Sequence, residues 1–142
     1  MRFALLVACL IFAVGARAAE SERDLFQRTL TAHVDAVQKR DLNGLLDTIT
    51  AGDRLTLIFP NGTMTDTRQA YVDFHRKWFA EKGWTMQMEP VSVLVRSDLG
   101  LALMRTTYTD EAGSRQGLLT LTFAREQGRW RLVFDQNTRI TQ

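Results

Sequence analysis

From Ser21 onward the apolar residues recur at helical spacing. Phe26, Leu30, Val34 and Val37, with Ala36 beside them, make one face up to Gln38 or Lys39. Ser21-Glu22-Arg23-Asp24 has the composition of a helix start. A second, shorter helix is predicted at Leu42–Ile49, capped by Asp41, with Leu42, Leu45, Leu46 and Ile49 on one side and Gly52 ending it. The period then changes. Leu55-Thr56-Leu57-Ile58-Phe59 is β-prone and stops at Pro60, and Asn61-Gly62 is a favoured tight-turn pair leading into a return strand at Thr63–Thr65. Asp66, with Gln69 three residues on, opens a third helix whose apolar face is Tyr71, Phe74, His75, Trp78 and Phe79, closed by Gly83.

Beyond Trp84 the pattern is strand-like, with β segments at Thr85–Arg96, Leu101–Asp110, Gln116–Arg125 and Arg129–Thr138. Their connections are too short for a crossover, so neighbours must be antiparallel. Helices first and a meander after define an α+β class: three N-terminal helices packed in a strongly curved antiparallel sheet, with a hollow between the layers. No repeat, low-complexity tract or linker divides the chain.

The first 19 residues do not belong to that pattern. Arg2, the apolar run Phe3–Val14 and Ala16-Arg17-Ala18 have the layout of a secretory signal, with cleavage expected after Ala18 or Ala19. The expectation is an exported protein, periplasmic or secreted, whose one domain is residues 20–142. The apolar run is too short for a comfortable membrane span, no comparable run follows, and no membrane association is expected after cleavage. Leu6-Val7-Ala8-Cys9 looks like a lipidation site but falls in the middle of the apolar run, so lipidation is not expected.

Losing residues 1–18 removes Arg2, Arg17 and Cys9, which leaves 16 basic residues against 16 acidic ones and no cysteine. The mature chain is formally neutral and carries no basic stripe, so nucleic acid is not an expected partner. Disulfides and thiolate zinc sites are excluded, and two histidines without a short-spaced acidic cluster fall short of a metal ligand set. No phosphate loop, dinucleotide fingerprint or nucleophile motif is present, and no cofactor is expected.

His33 lies between Leu30 and Val37, and His75 between Tyr71 and Phe79, so both histidines sit on faces expected to turn inward. They read either as a proton-transfer or ligand-binding pair or as two hydrogen-bonded core residues. On the last strand, alternation puts Trp130, Leu132, Phe134, Gln136 and Thr138 on one face and Arg131, Val133, Asp135, Asn137 and Arg139 on the other. With the aromatic face inward, Gln136 points into the hollow and Asp135 away from it, and a single bulge would reverse this. Asp135 is then either a pocket acid or an ion-pairing residue of the outer sheet face. Arg105 shares a face with Leu101 and Leu103, which makes it a candidate for a carboxylate ligand or a partner of Glu89. Trp78, Phe79, Trp84, Met86 and Met88 suit either a pliable ligand wall or the core. Asn61-Gly62-Thr63 fits a glycosylation sequon, though its turn role accounts for it.

The order α-α-β-β-α-β-β-β-β, with Arg40-Asp41-Leu42 and Leu45-Leu46 at the helix junction, Phe59-Pro60-Asn61-Gly62 after the first strand and Trp130–Thr138 at the end, resembles the nuclear transport factor 2-like superfamily. Its SnoaL-like and ketosteroid-isomerase-like branches are the nearest. The resemblance covers the mature chain and implies a cone-shaped α+β barrel of cystatin-like topology, an internal pocket and a homodimer formed through the outer sheet face. The fold hosts isomerases, dehydratases, carriers and inert assembly domains. Ketosteroid isomerases pair an acidic base with a tyrosine and a protonated aspartate, but Leu55–Phe59 holds no acid and the first helix no tyrosine, so no catalytic residue carries over. Scytalone-dehydratase-like members combine two histidines with tyrosine and aspartate, and His33, His75, Tyr71, Tyr108 and Asp135 match these in type. The resemblance and the inward residues imply a small, mainly apolar ligand held by His33, Tyr71, His75, Trp78, Trp84, Arg105 and Gln136. Catalytic candidates are His33, His75 and Asp135 for an isomerase or dehydratase, and the third alternative is an assembly module whose pocket its own side chains fill.

Overall fold

The structure, a computed structural model, describes residues 20–140. The signal segment expected at residues 1–19 lies outside the described residues. Helix α1 (Glu22–Lys39) is followed by α2 (Leu42–Leu46), β1 (Arg54–Ile58), β2 (Met64–Thr67), α3 (Arg68–Ala80), β3 (Thr85–Val95), β4 (Leu99–Asp110), β5 (Gly113–Glu126) and β6 (Arg129–Arg139). The element order is the one the pattern predicts. None of the described helices is long and apolar enough to cross a membrane.

Each helix starts where a side chain can take up an orphan backbone donor. Ser21 Oγ accepts from the Asp24 N–H, Asp41 Oδ1 from the Gly44 N–H and Thr67 Oγ1 from the Ala70 N–H. The third cap is therefore Thr67, one residue later than predicted. Between α1 and α2, Arg40 adopts the left-handed conformation and ends the first helix, while Asp41 begins the next.

One curled six-stranded sheet runs in the order β2-β1-β6-β5-β4-β3. All neighbours are antiparallel except β1 and β6, which run parallel over Thr56–Ile58 and Phe134–Gln136. The second helix stops at Leu46, three residues short of the predicted Ile49, because the sheet claims the residues that follow. Leu132 donates to the Thr48 carbonyl and accepts from the Thr50 N–H, beyond the reach of β1. Asn61-Gly62 is not a two-residue hairpin turn. Gly62 donates to the Phe59 carbonyl, with Pro60 and Asn61 between them, so Pro60 sets the turn and only Gly62 has positive φ. The twist-matched two-residue turn occurs at Gln127-Gly128, where both φ values are positive.

Besides a register shift between Arg54 and Leu57 of β1, two bulges bend the sheet. In β3 the register shifts between Pro90 and Ser92, leaving Val91 unpaired on an edge strand. In β6, Leu132 faces Phe123 but Phe134 faces Thr122, so Val133 is the extra residue. The second bulge decides which residues face the helices: Trp130 and Leu132 are buried before it, and Asp135 is the buried residue after it.

The core is one cluster between the helices and the concave face. Phe26 of α1, fully buried, meets Phe123 and Trp130 edge-on, each with ring centroids 5.4 Å away. Gly100 stands opposite Phe123 in the ladder and leaves the space that the Phe26 ring occupies.

Candidate functional site

Between α1, α3 and the concave face of β3–β6 lies a cavity of about 290 Å³. This is just below the roughly 300–1,000 Å³ usual for small-molecule sites. Val37, Leu57, Phe59, Phe74, Trp78 and Met86 give it apolar walls, and its inner end is closed by His33, His75 and Asp135. All three polar residues are buried, at 2, 3 and 5% exposure.

The two imidazoles are held in one tautomer by their neighbours. The Thr48 hydroxyl donates to the Leu45 carbonyl, so its oxygen is left to accept, 2.8 Å away, from His33 Nδ1–H. His75 Nδ1 lies 2.9 Å from the Tyr71 carbonyl, which can only accept. Both rings therefore carry their proton on Nδ1 and keep the Nε2 lone pair. Burial holds both neutral: His33 is pushed down to about 3, by desolvation and then by the charge of His75, and His75 to about 4 by desolvation against the hydrogen bond to Tyr71.

Asp135 moves the opposite way. Burial raises its carboxyl to about 7, although hydrogen bonds from Tyr71 and Asn137 favour the ionised form. Asn137 Nδ2 donates to Asp135 Oδ1 at 2.9 Å and to the Ile58 carbonyl at 3.1 Å, and Tyr71 Oη donates to Asp135 Oδ2 over a long 3.4 Å. Burial first, and then the Asp135 carboxylate, lift the Tyr71 phenol well above its ordinary range, so it stays a donor. The His75 ring lies 4.1 Å from that of Tyr71, centroid to centroid. The inner end thus combines a carboxyl that changes protonation near neutrality with two neutral imidazole acceptors and a tyrosine behind. A buried acid with that poise can take or return a proton, and the Nε2 atoms can accept from a hydroxyl or N–H.

Of the residues predicted from sequence, the cavity brings together His33, His75, Trp78 and Asp135. Tyr71 is fully buried behind Asp135 and reaches the site through that carboxyl. Trp84 is also off the lining: it stacks on Trp78 at 4.3 Å, donates to the Trp78 carbonyl, and carries the Arg40 guanidinium on its ring. Gln136 and Arg105 turn away from the cavity. Gln136 pairs with outward Thr120 because the Val133 bulge inverts the facing of everything after it. Arg105 is exposed and stands opposite Glu89 on the convex side, since the Leu101 and Leu103 face of β4 is the outer one. Residues not foreseen are Thr48, which orients His33, and Thr106, Arg115 and Asn137, which line the cavity. Asn137 had a signal in the sequence, since it shares Asp135's strand parity. Among the described residues no group of three or more His, Cys, Asp or Glu side chains stands close enough to hold a metal.

A curled sheet folded around three helices, with a pocket inside, is the architecture of nuclear transport factor 2-like proteins. Within that superfamily the chain belongs to the SnoaL-like domain family, which matches residues 27–137. Among solved structures it is similar to a candidate calcium/calmodulin-dependent protein kinase type II association domain from Thiobacillus denitrificans, at 22% identity over 81% of this chain and 94% of that one, with a TM-score of 0.71. A candidate dehydratase of the nuclear transport factor 2-like family from Streptomyces avermitilis matches at 16% identity over 83% and 95%, with a TM-score of 0.71. A protein with a cystatin-like fold from Nostoc punctiforme matches at 20% identity over 87% and 81%, with a TM-score of 0.70. These likenesses concern the fold. No curated protein matches the chain.

Proposed function

We propose that this SnoaL-like protein is exported and, as a homodimer, binds a small, mainly apolar ligand in the cavity between its helices and sheet. The observation that carries this reading is an apolar cavity left open in front of Asp135, His33 and His75. An assembly module packed with its own side chains is the weaker reading, because that void beside buried polar groups has no role in it. The homodimer is supported by the convex face, where ladder pairing sends Leu94, Leu101, Leu103, Leu118 and Phe134 outward. Export rests on the layout of residues 1–19.

Native mass spectrometry of the protein isolated from its own source tests all three parts. The expected species is a dimer, each chain lacking residues 1–18 or 1–19, with a small-molecule adduct. An empty monomer overturns the ligand and dimer readings, and a full-length mass overturns export.

A second reading, a proton-transfer enzyme of isomerase or dehydratase type, is favoured by the Asp135 carboxyl, which titrates near 7 in an apolar setting. Asp135 would be the acid–base group, Tyr71 and Asn137 would hold it, and the histidine Nε2 atoms would orient the substrate. Incubated in heavy water, the co-purified molecule is expected to gain deuterium at carbon with the native protein and not with Asp135→Asn. No gain with the native protein leaves a binding domain.

A further inference from the structure

The charges of the cavity wall point to the class of ligand, an inference that rests on the pocket reading above. β6 sends Asp135, Asn137 and Arg139 to the concave face in succession, opposite Leu121, Leu119 and Gly117. On the neighbouring strands Gly117 faces Thr106, and Arg115 faces Tyr108. The row runs from a buried inner end, Asp135, to an exposed rim, Arg139. Four residues of strand set those ends about 13 Å apart along the backbone.

Gly117 stands between the two arginines, where a side chain would collide with both neighbouring strands. A Cβ there would lie 2.9 Å from both Thr106 Oγ1 and the Thr138 carbonyl oxygen. The charged residues lining the cavity are two cations, Arg115 and Arg139, and one carboxyl, Asp135. Arg115 is committed: it donates to both carboxylate oxygens of Asp110 and lies over the Tyr108 ring, 5.1 Å from its centroid. Arg139 makes no ion pair among the described residues. A guanidinium at the mouth of an apolar cavity, with a carboxyl and two acceptor nitrogens at the far end, is polar at both ends with opposite requirements: an anion outside, a hydrogen-bond donor inside.

We propose that the ligand is a small amphiphilic organic acid that enters with its carboxylate outward on Arg139. Its apolar body lies along Phe59, Phe74, Trp78 and Met86, and a hydroxyl at its far end donates to Nε2 of His33 or His75. The reverse orientation would bury the ligand's carboxylate against Asp135 and leave the hydroxyl in water.

The test compares 3-(4-hydroxyphenyl)propanoate with its neutral amide by isothermal titration calorimetry on the purified protein. The acid is expected to bind at least about fivefold tighter, the gain typical of one charge-assisted hydrogen bond. Arg139→Gln should remove that gain by weakening the acid far more than the amide, and Arg139→Lys should restore most of it. Equal binding of acid and amide, or a gain that survives Arg139→Gln, overturns the proposal and leaves the pocket reading standing. Binding of neither compound overturns both.

Discussion

Between pH 6.5 and pH 4 the protein is expected to lose about 1.4 kcal/mol of stability for each unit of acidification, through three buried side chains that titrate against one another. In the unfolded chain both histidines take up a proton near 6.5, whereas the folded chain refuses it until about 4 at His75 and about 3 at His33. Their folded pKa values are depressed, so the unfolded state binds more protons and stability falls as pH falls. Asp135 opposes them. Its folded carboxyl keeps its proton up to about 7, while the unfolded one releases it near 3.8, so this group favours the folded state in acid and ceases to as pH rises through 7. In the window between, the unfolded chain carries two of these protons and the folded chain one, and the net slope is that of a single proton.

Asp135→Asn removes the opposing group. Its slope over the same window is expected to double to about 2.7 kcal/mol per unit, and the variant should be more stable than the native protein above pH 7. Urea denaturation at a series of pH values reads both quantities. A native midpoint that rises from pH 6.5 to pH 4 would show that the histidines are hydrated and titrate normally, leaving Asp135 alone to set the slope.

The largest single loss of stability is expected from Phe26→Ala, about 3–5 kcal/mol, because the ring is fully buried between Phe123 and Trp130 and its removal leaves a hole that the sheet cannot close. Gly100→Ala attacks the same contact from the other side. The added Cβ would lie 2.2 Å from a ring carbon of Phe26, so the ring must shift, at a cost of about 1–3 kcal/mol. In the Phe26→Ala background that collision is gone and the new methyl fills part of the hole. The double variant is therefore expected to be no less stable than Phe26→Ala alone, a clear departure from additivity in urea midpoints. Additive losses would show that Gly100 is needed for its backbone rather than for the space it leaves.

Much of this architecture is legible in the chain because each helix has one inward stripe. Phe26, Leu30, His33 and Val37 are inside as their spacing requires, and so are Tyr71 and His75. The strands are harder for a physical reason. Alternation tells which residues share a face but not which face is covered, and the convex face of this sheet also carries leucines. Leu101 and Leu103 therefore place Arg105 on a plausible inner side that is in fact the outer one. The candidate site was legible as residue types, with His33, His75, Trp78 and Asp135 all on its wall, and illegible as geometry. Nothing in Trp130-Arg131-Leu132-Val133-Phe134 announces where pairing slips, since the apolar alternation continues through the slip. Thr48 was hidden for another reason: its segment has helical spacing, and only the unmet backbone groups of Leu132 draw it into the sheet.

The unpaired Val133 makes the end of the chain a two-register device. Taken up as a bulge, the extra residue lets β6 offer the hollow an acid, an amide and a guanidinium; with the same residues paired straight through from Leu132, the strand would present Phe134, Gln136 and Thr138 instead. A single slip of pairing thus separates an ionisable chamber from a greasy, uncharged one, with the scaffold around it otherwise intact. A lineage built on this barrel can exchange its chemistry by gaining or losing the bulge at a single point, without replacing any residue of the strand itself.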